Sequence, residues 1–280
     1  MYFWLVVVIS IGCSVASLVL ETNGYTLGNL IKPPSTEPFF NGEILSQMSF
    51  ILSFLLFFRS NKAHDRWSTA KAHLQRMHFA ASEFERHVAR ISGSPKAVIE
   101  STRHIQLLLA VAHHAIARTQ VSRGPVDMLA TVSEMDVLES EPVESWVPLV
   151  AKWLTADTGS ALIEKPATPV EWIERLDADV AMLCSAFNGA NDIARGCIPR
   201  SYTRMLDAIL YIYVTLTPLS IGPVYGWLSP ICSGAYTMAL LGINQISIEM
   251  EQPFEGGDFH DLNVLDFAIT YTYKHPHSHV

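Results

Sequence analysis

Three sets of residues in this 280-residue chain could do chemistry, and each asks for a different ligand. Phe50, Phe54 and Phe58 stand at i, i+4 and i+8, so on a helix they drift only about 40° per step and share one face. A ring edge carries the positive part of the aromatic quadrupole, so a constriction of such edges tolerates a partly dehydrated anion better than an aliphatic one would. Packing against neighbouring helices is the plainer role for the same stripe. Glu249, Glu251, Glu255, Asp258 and Asp261 crowd the stretch EMEQPFEGGDFHD, where carboxylate oxygens near Gly256 and Gly257 could hold a hard cation such as Ca²⁺. Their spacing is not that of an EF-hand, and a solvated acidic turn accounts for the same residues. Histidine is the third set. His73 with His78, and the neighbours His113 and His114, miss the i, i+4 spacing that puts two ligands on one helix face, and the HPHSH tail has no scaffold.

The remaining chemistry is excluded by type. Cys13, Cys184, Cys197 and Cys232 form no CxxC pair and lie in apolar or helical surroundings, which argues for buried thiols rather than zinc or disulfides. There is no Gly-rich phosphate loop, no Gly-x-Ser-x-Gly elbow and no basic aromatic patch for nucleic acid.

The elements that position these residues follow from hydropathy. At 49% hydrophobic and 16% charged the chain is apolar-rich for a soluble protein, so membrane spans come first. Residues 1–20 carry no charge before Glu21 and have the length of a span, with no basic stretch ahead of them to suggest a signal peptide. Between Asp207 and Glu249 there is no Lys, Arg, Asp or Glu, enough for two further spans, and Gly222, Pro223, Gly226 and Pro230 predict a tight helical hairpin between them. The segment 43–58 is short for a span, about 22 Å in its uncharged part, and includes Ser46, Gln47, Ser49 and Ser53. Polar groups at such a depth face protein or a water-filled cavity, so this helix faces inward.

Arg59, Lys62, Arg66, Lys71 and Arg76 follow that helix directly, which places residues 59–200 and both termini on the cytosolic side or its organellar equivalent. Apolar residues at three- and four-residue spacing predict amphipathic helices over 66–91 and 97–120, broken by SGSP at 92–95, with Gly124 and Pro125 ending the second. Residues 126–168 predict short helices joined by loops, and a last soluble helix runs from Val170 to Ile193, capped through Thr168 and Pro169. The fold class is all-α. Residues 1–58 hold two spans with the pore helix at 43–58, 59–200 a helical cytosolic domain, 201–250 the third and fourth spans, and 251–280 a cytosolic C-terminal segment.

The stretch FFRSNKAHDRWSTAK resembles the bestrophin family of anion channels, through Phe58, Arg59, Asn61, Ala63, Arg66, Trp67, Ala70 and Lys71. A second block is similar to that family near the C-terminus: Pro199 and Tyr202 in CIPRSY, Gly226 and Trp227 in the hairpin, then Gly242, Ile243, Ile246, Pro253 and Phe254. Ser68 departs from the second Trp that many members carry, and His64 and Asp65 stand where many have Tyr and Glu.

The resemblance implies a homopentamer with four transmembrane helices per subunit, and one axial pore whose neck is lined by three hydrophobic residues just before the Phe-Arg-x-Asn motif. Those fall on Phe58, Phe54 and Phe50, the same three that periodicity selects. It also implies a cytosolic aperture ahead of the Pro-x-x-Tyr entry, for which Ile193 is the candidate. No cofactor is required, and the Gly-interrupted acidic run is shorter than the Ca²⁺ clasp of animal members. The function this implies is a passive anion channel, not an enzyme, in a bacterial inner, plasma or chloroplast membrane, with chloride and other monovalent anions, the lipid bilayer and its own copies as partners. A non-conducting membrane scaffold or regulatory subunit of the same fold and a membrane-bound histidine metalloenzyme are the rivals.

Overall fold

The uncharged run that ends at Phe58 and the charged stretch that follows it form one unbroken helix, Gly42–Ile91. In the computed structural model, which describes residues 2–22, 42–92, 95–117, 124–163, 170–196 and 198–254, every regular element is helical. In chain order these are α1 (Tyr2–Thr22), α2 (Gly42–Ile91), α3 (Pro95–Ala117), α4 (Gly124–Leu129), α5 (Val132–Ser140), α6 (Val143–Ile163), α7 (Val170–Arg195), α8 (Arg200–Tyr225), a single 3-10 turn at Gly226–Leu228, and α9 (Ser229–Glu251). The chain divides into two compact units, Met1–Asp65 with Ile198–Glu251, and Arg66–Cys197 with Gln252–Val280.

In the first unit α1 packs against α8 and α9, and α8 against α9. Leu52 and Leu56 of α2 close a core with Val7, Leu206, Leu210, Tyr213, Val214 and Leu241. Small and hydroxylated residues let α1 and α9 approach closely: Ser10 Oγ lies 2.9 Å from both Ser233 Oγ and Thr237 Oγ1. A Cβ on Gly234 would meet Ile11 side-chain atoms at 3.2 Å. The hairpin expected around Gly226 and Pro230 is the 3-10 turn joining α8 to α9. Among the described residues α9 is the one helix long and apolar enough to cross a bilayer, with a mean hydropathy of 1.2.

In the second unit the buried stripe of α2 is Ala70, Leu74, Met77, Ala81, Phe84 and Val88, the i, i+4, i+7, i+11 pattern of an amphipathic helix. α3 is the central helix, buried at every residue from 104 to 113, and it packs on α4, α6 and α7. Two expectations are corrected here. Gly124 and Pro125 begin α4 instead of ending α3, whose last residue is Ala117; proline at the first turn gives up only a donor that has no helical partner there. Residues 143–163 form one helix of 21 residues instead of several short ones, with Pro148 inside it. Burial of Trp146, Val147, Val150 and Leu154 outweighs the one bond that Pro148 cannot make. The soluble helix ending at Ile193 extends to Arg195; its expected cap, Thr168 and Pro169, lies outside the described residues, as does Cys197. Cys13, Cys184 and Cys232 are free thiols, half-buried rather than fully enclosed.

A half-buried ion pair ties α5 to α3. Arg103 Nη1 and Nη2 donate to Glu134 Oε2 and Oε1, both at 2.9 Å, and His104 Nε2 lies 2.9 Å from Oε1. The same carboxylate accepts from the Thr131 backbone N–H at 2.8 Å, completing a capping box at the start of α5. Arg103 thereby holds the Glu134 carboxyl well below the usual carboxylate range.

Two histidines on α2 and α3 are shifted in the same direction, by burial instead of by charge. The rings of His78 and His113 lie 5.1 Å apart, and among the described residues neither nitrogen of the buried His113 has a hydrogen-bond partner. Burial holds His78 down to about 4 and His113 down to about 3. An unfolded histidine binds its proton near 6.5, so the unfolded chain takes up more protons as pH falls from there, and stability that is complete above about 6.5 is lost toward 4. The expected slope is up to about 1.4 kcal/mol per pH unit for each ring. Denaturant melts between pH 7.5 and 5 should show His113→Phe losing less stability than the parent on acidification; parallel losses would contradict this reading.

Candidate functional site

The aromatic residues of α2 lie on a face that the rest of the first unit leaves open. Phe50, Phe54 and Phe58 are 76%, 55% and 43% exposed, whereas Leu52 and Leu56 behind them are 1% and 3% exposed. The Phe54 and Phe58 rings meet edge-on with centroids 4.6 Å apart. Phe57, which the i, i+4 reading passes over, is exposed on the same side and makes a second edge contact with Phe58, at 6.1 Å. The open face is therefore wider than the three-residue stripe.

What fixes this face is on the opposite side of the helix. Arg59, the residue after Phe58, is buried and extends its guanidinium to both α8 and α9. Its Nε donates to Glu251 Oε1 at 2.8 Å and its Nη2 to Oε2 of the same carboxylate at 3.5 Å. Nη1 donates to Asp207 Oδ1 at 2.9 Å and to Asn244 Oδ1 at 2.8 Å, and Asn244 Nδ2 reaches Asp207 Oδ1 at 3.3 Å. At the other end of the aromatic segment, Ser49 Oγ lies 3.5 Å from Tyr236 OH, which is 3.2 Å from Tyr213 OH.

Sequence reasoning selected Arg59 and Glu251 for other roles and missed Asp207, Asn244, Tyr213 and Tyr236. Asp207 carried a signal, as the last acid before a charge-free run of span length. Arg59 is thus committed to acids, not free to draw anions. Glu249 accepts from Gln245 Nε2 at 3.0 Å and Glu251 holds Arg59, while Glu255, Asp258 and Asp261 lie outside the described residues. Among the described residues no three of His, Cys, Asp and Glu are arranged to hold a metal ion.

The other motif residues have identifiable work. Arg66 Nη2 donates to the backbone carbonyls of Ile193 and Gly196, capping the C-terminal turn of α7 in the second unit. Ile193, the aperture candidate, has its side chain partly packed on that unit's core, as does Trp67. One turn earlier on α7, Gly189 leaves room for the His73 ring, which a Cβ would meet at 2.3 Å. The Pro199 carbonyl accepts from Tyr202 N at 3.0 Å at the entry to α8, where Tyr202 packs on the first unit's core. Pro253 and Phe254 are buried in the turn after α9, with Phe254 in the second unit's core. Asn61 is exposed.

The family model described as Bacterial/Fungal Bestrophin protein matches residues 4–273. A voltage-dependent anion channel-forming protein of Mesorhizobium japonicum is 24% identical over 213 residues, covering 75% of this chain and 66% of that protein, just under two thirds of its length. A protein of the same description from Nostoc sp. is 26% identical over 249 residues, covering 85% of this chain and 76% of its own. A crystal structure of a bacterial bestrophin homologue from Klebsiella pneumoniae superposes with a TM-score of 0.84 at 16% identity, over 98% of this chain and 97% of that one. A structure described only as a membrane protein gives 0.86 at 15% identity, with the same coverage of both chains.

Removing the Arg66 cap should loosen the end of α7. Each of the two lost hydrogen bonds is worth about 1 kcal/mol net, so Arg66→Ala should speed amide exchange over residues 193–196 by up to about thirtyfold. Exchange mass spectrometry on the intact protein checks this, and an unchanged rate would show that the cap carries no weight.

Proposed function

The chain belongs to the bacterial and fungal bestrophin family, and from that membership we propose that it is a membrane protein forming a passive anion channel, with chloride as its physiological ion. It is not an enzyme. Five copies surround one axial pore, and the open aromatic face of α2 from each lines the neck through Phe50, Phe54 and Phe58. The observation that carries this reading is the two-sided character of α2: one face is closed by Leu52, Leu56 and Arg59, while the other presents exposed phenylalanines next to Ser46, Gln47 and Ser53. A large exposed apolar face on one subunit is a surface meant to be covered. Copies of the same helix around an axis would cover it and still leave ring edges toward the pore.

Selection then follows from dehydration. An anion entering a collar of phenylalanine edges gives up part of its water and gains only the weak positive edge of each ring, so anions that release water easily pass more readily than chloride. At the cytosolic end of the neck the exposed Lys62 is the side chain placed to draw anions. Local field at the pore, not the net charge of -8, governs the path.

The test is the reversal potential of the purified protein in a planar bilayer under a KCl gradient, repeated with iodide. We expect a shift toward the anion equilibrium potential and an iodide permeability at least about twice that of chloride. Replacing Phe50, Phe54 and Phe58 together by Ala should raise unit conductance and bring the two anions closer. An absent current, or a shift toward the cation potential, would overturn the channel and favour a non-conducting scaffold of the same fold.

A further inference from the structure

A neck built from aromatic edges discriminates only if the rings stay at a fixed radius, so the side chains that hold α2 from behind matter as much as the rings. Those side chains bracket the aromatic segment. Ser49 stands immediately before Phe50 and lies 3.5 Å from the Tyr236 hydroxyl of α9, which in turn is 3.2 Å from the Tyr213 hydroxyl of α8, while Arg59 stands immediately after Phe58 and reaches Asp207 of α8 and Asn244 and Glu251 of α9. Between the two pins the apolar contacts of Leu52, Leu55 and Leu56 hold the helix.

The Arg59 end is the stronger of the two. A guanidinium offers five N–H donors in a planar fork, and here four are used, on three side chains from two helices. An ammonium at the same place would have the charge but not the fixed directions. The charge is also fully engaged. Two carboxylates face one guanidinium whose side chain is 3% exposed, so no permeating anion finds a free cation there.

We propose that Arg59 is the positioning residue of the neck: it sets where Phe58 and Phe54 stand by locking α2 to α8 and α9, and it does not itself bind the permeating anion. This rests on the channel reading above. It differs from a purely structural role in its consequence, because a loosened pin changes how tightly the rings constrict the ion, not only how stable the subunit is.

The experiment compares the full-length parent with Arg59→Gln, Arg59→Lys and Asp207→Asn in planar bilayers, recording unit conductance and the iodide-to-chloride permeability ratio alongside the assembled mass of each. We expect Arg59→Gln of parental mass to move the ratio toward one and raise conductance severalfold, with Arg59→Lys between the two. If Arg59→Gln does not assemble, the other two variants carry the test: a ratio shifted toward one supports the proposal, and a parental ratio overturns it. An assembled Arg59→Gln with parental ratio and conductance overturns it as well. A parent that passes no anion current removes this inference and the channel reading together, whereas a conducting parent with an unmoved variant removes this inference alone.

Discussion

A guanidinium withdrawn from water has to be matched by acceptors in the right directions, and the first unit is organised around that requirement at Arg59. Two carboxylates and an amide oxygen converge on it from α8 and α9, and each of those helices is held in turn by α1. Breaking such a buried pair from one side is expensive because the remaining charge stays enclosed, so the arrangement specifies one register of α2 against its neighbours.

That register divides the surface of α2. Once Arg59, Leu52 and Leu56 face inward, a period of 3.6 leaves Phe50, Phe54, Phe57 and Phe58 no choice but to face outward. The aromatic face is therefore a consequence of the polar anchor, not an independent feature. In the second unit a different anchor acts on the same principle: Glu134 serves at once as the reciprocal cap of α5 and as the acceptor for Arg103 and His104 of α3.

Much of this was legible in the sequence, for a physical reason. Helical period, charge-free length and Gly/Pro punctuation are local, so the helical segments 43–58 and 66–91 that α2 joins, the spacing of Phe50, Phe54 and Phe58 and the turn at Gly226 could be read directly. The partners of Arg59 could not, because they stand 148, 185 and 192 residues away and no local pattern points to them. Gly124 and Pro125 misled because the same dipeptide can close one helix or open the next, and only the chain on either side decides. The single helix over 143–163 was not legible because burial of Trp146, Val147, Val150 and Leu154 offsets the bond that Pro148 lacks. The Thr131-x-x-Glu134 signature of a capping box was present and overlooked; what it could not reveal is that Arg103 shares the carboxylate.

The central claim is that the open face of α2 lines a water-filled neck instead of facing lipid. It is tested most directly by placing a single cysteine at Phe54, with Cys13, Cys184, Cys197 and Cys232 replaced, and applying a charged, water-soluble thiol reagent during current recording. Access from water and a loss of anion current as the label attaches are predicted. Labelling confirmed by mass with the current unchanged, or no labelling at all, would contradict it.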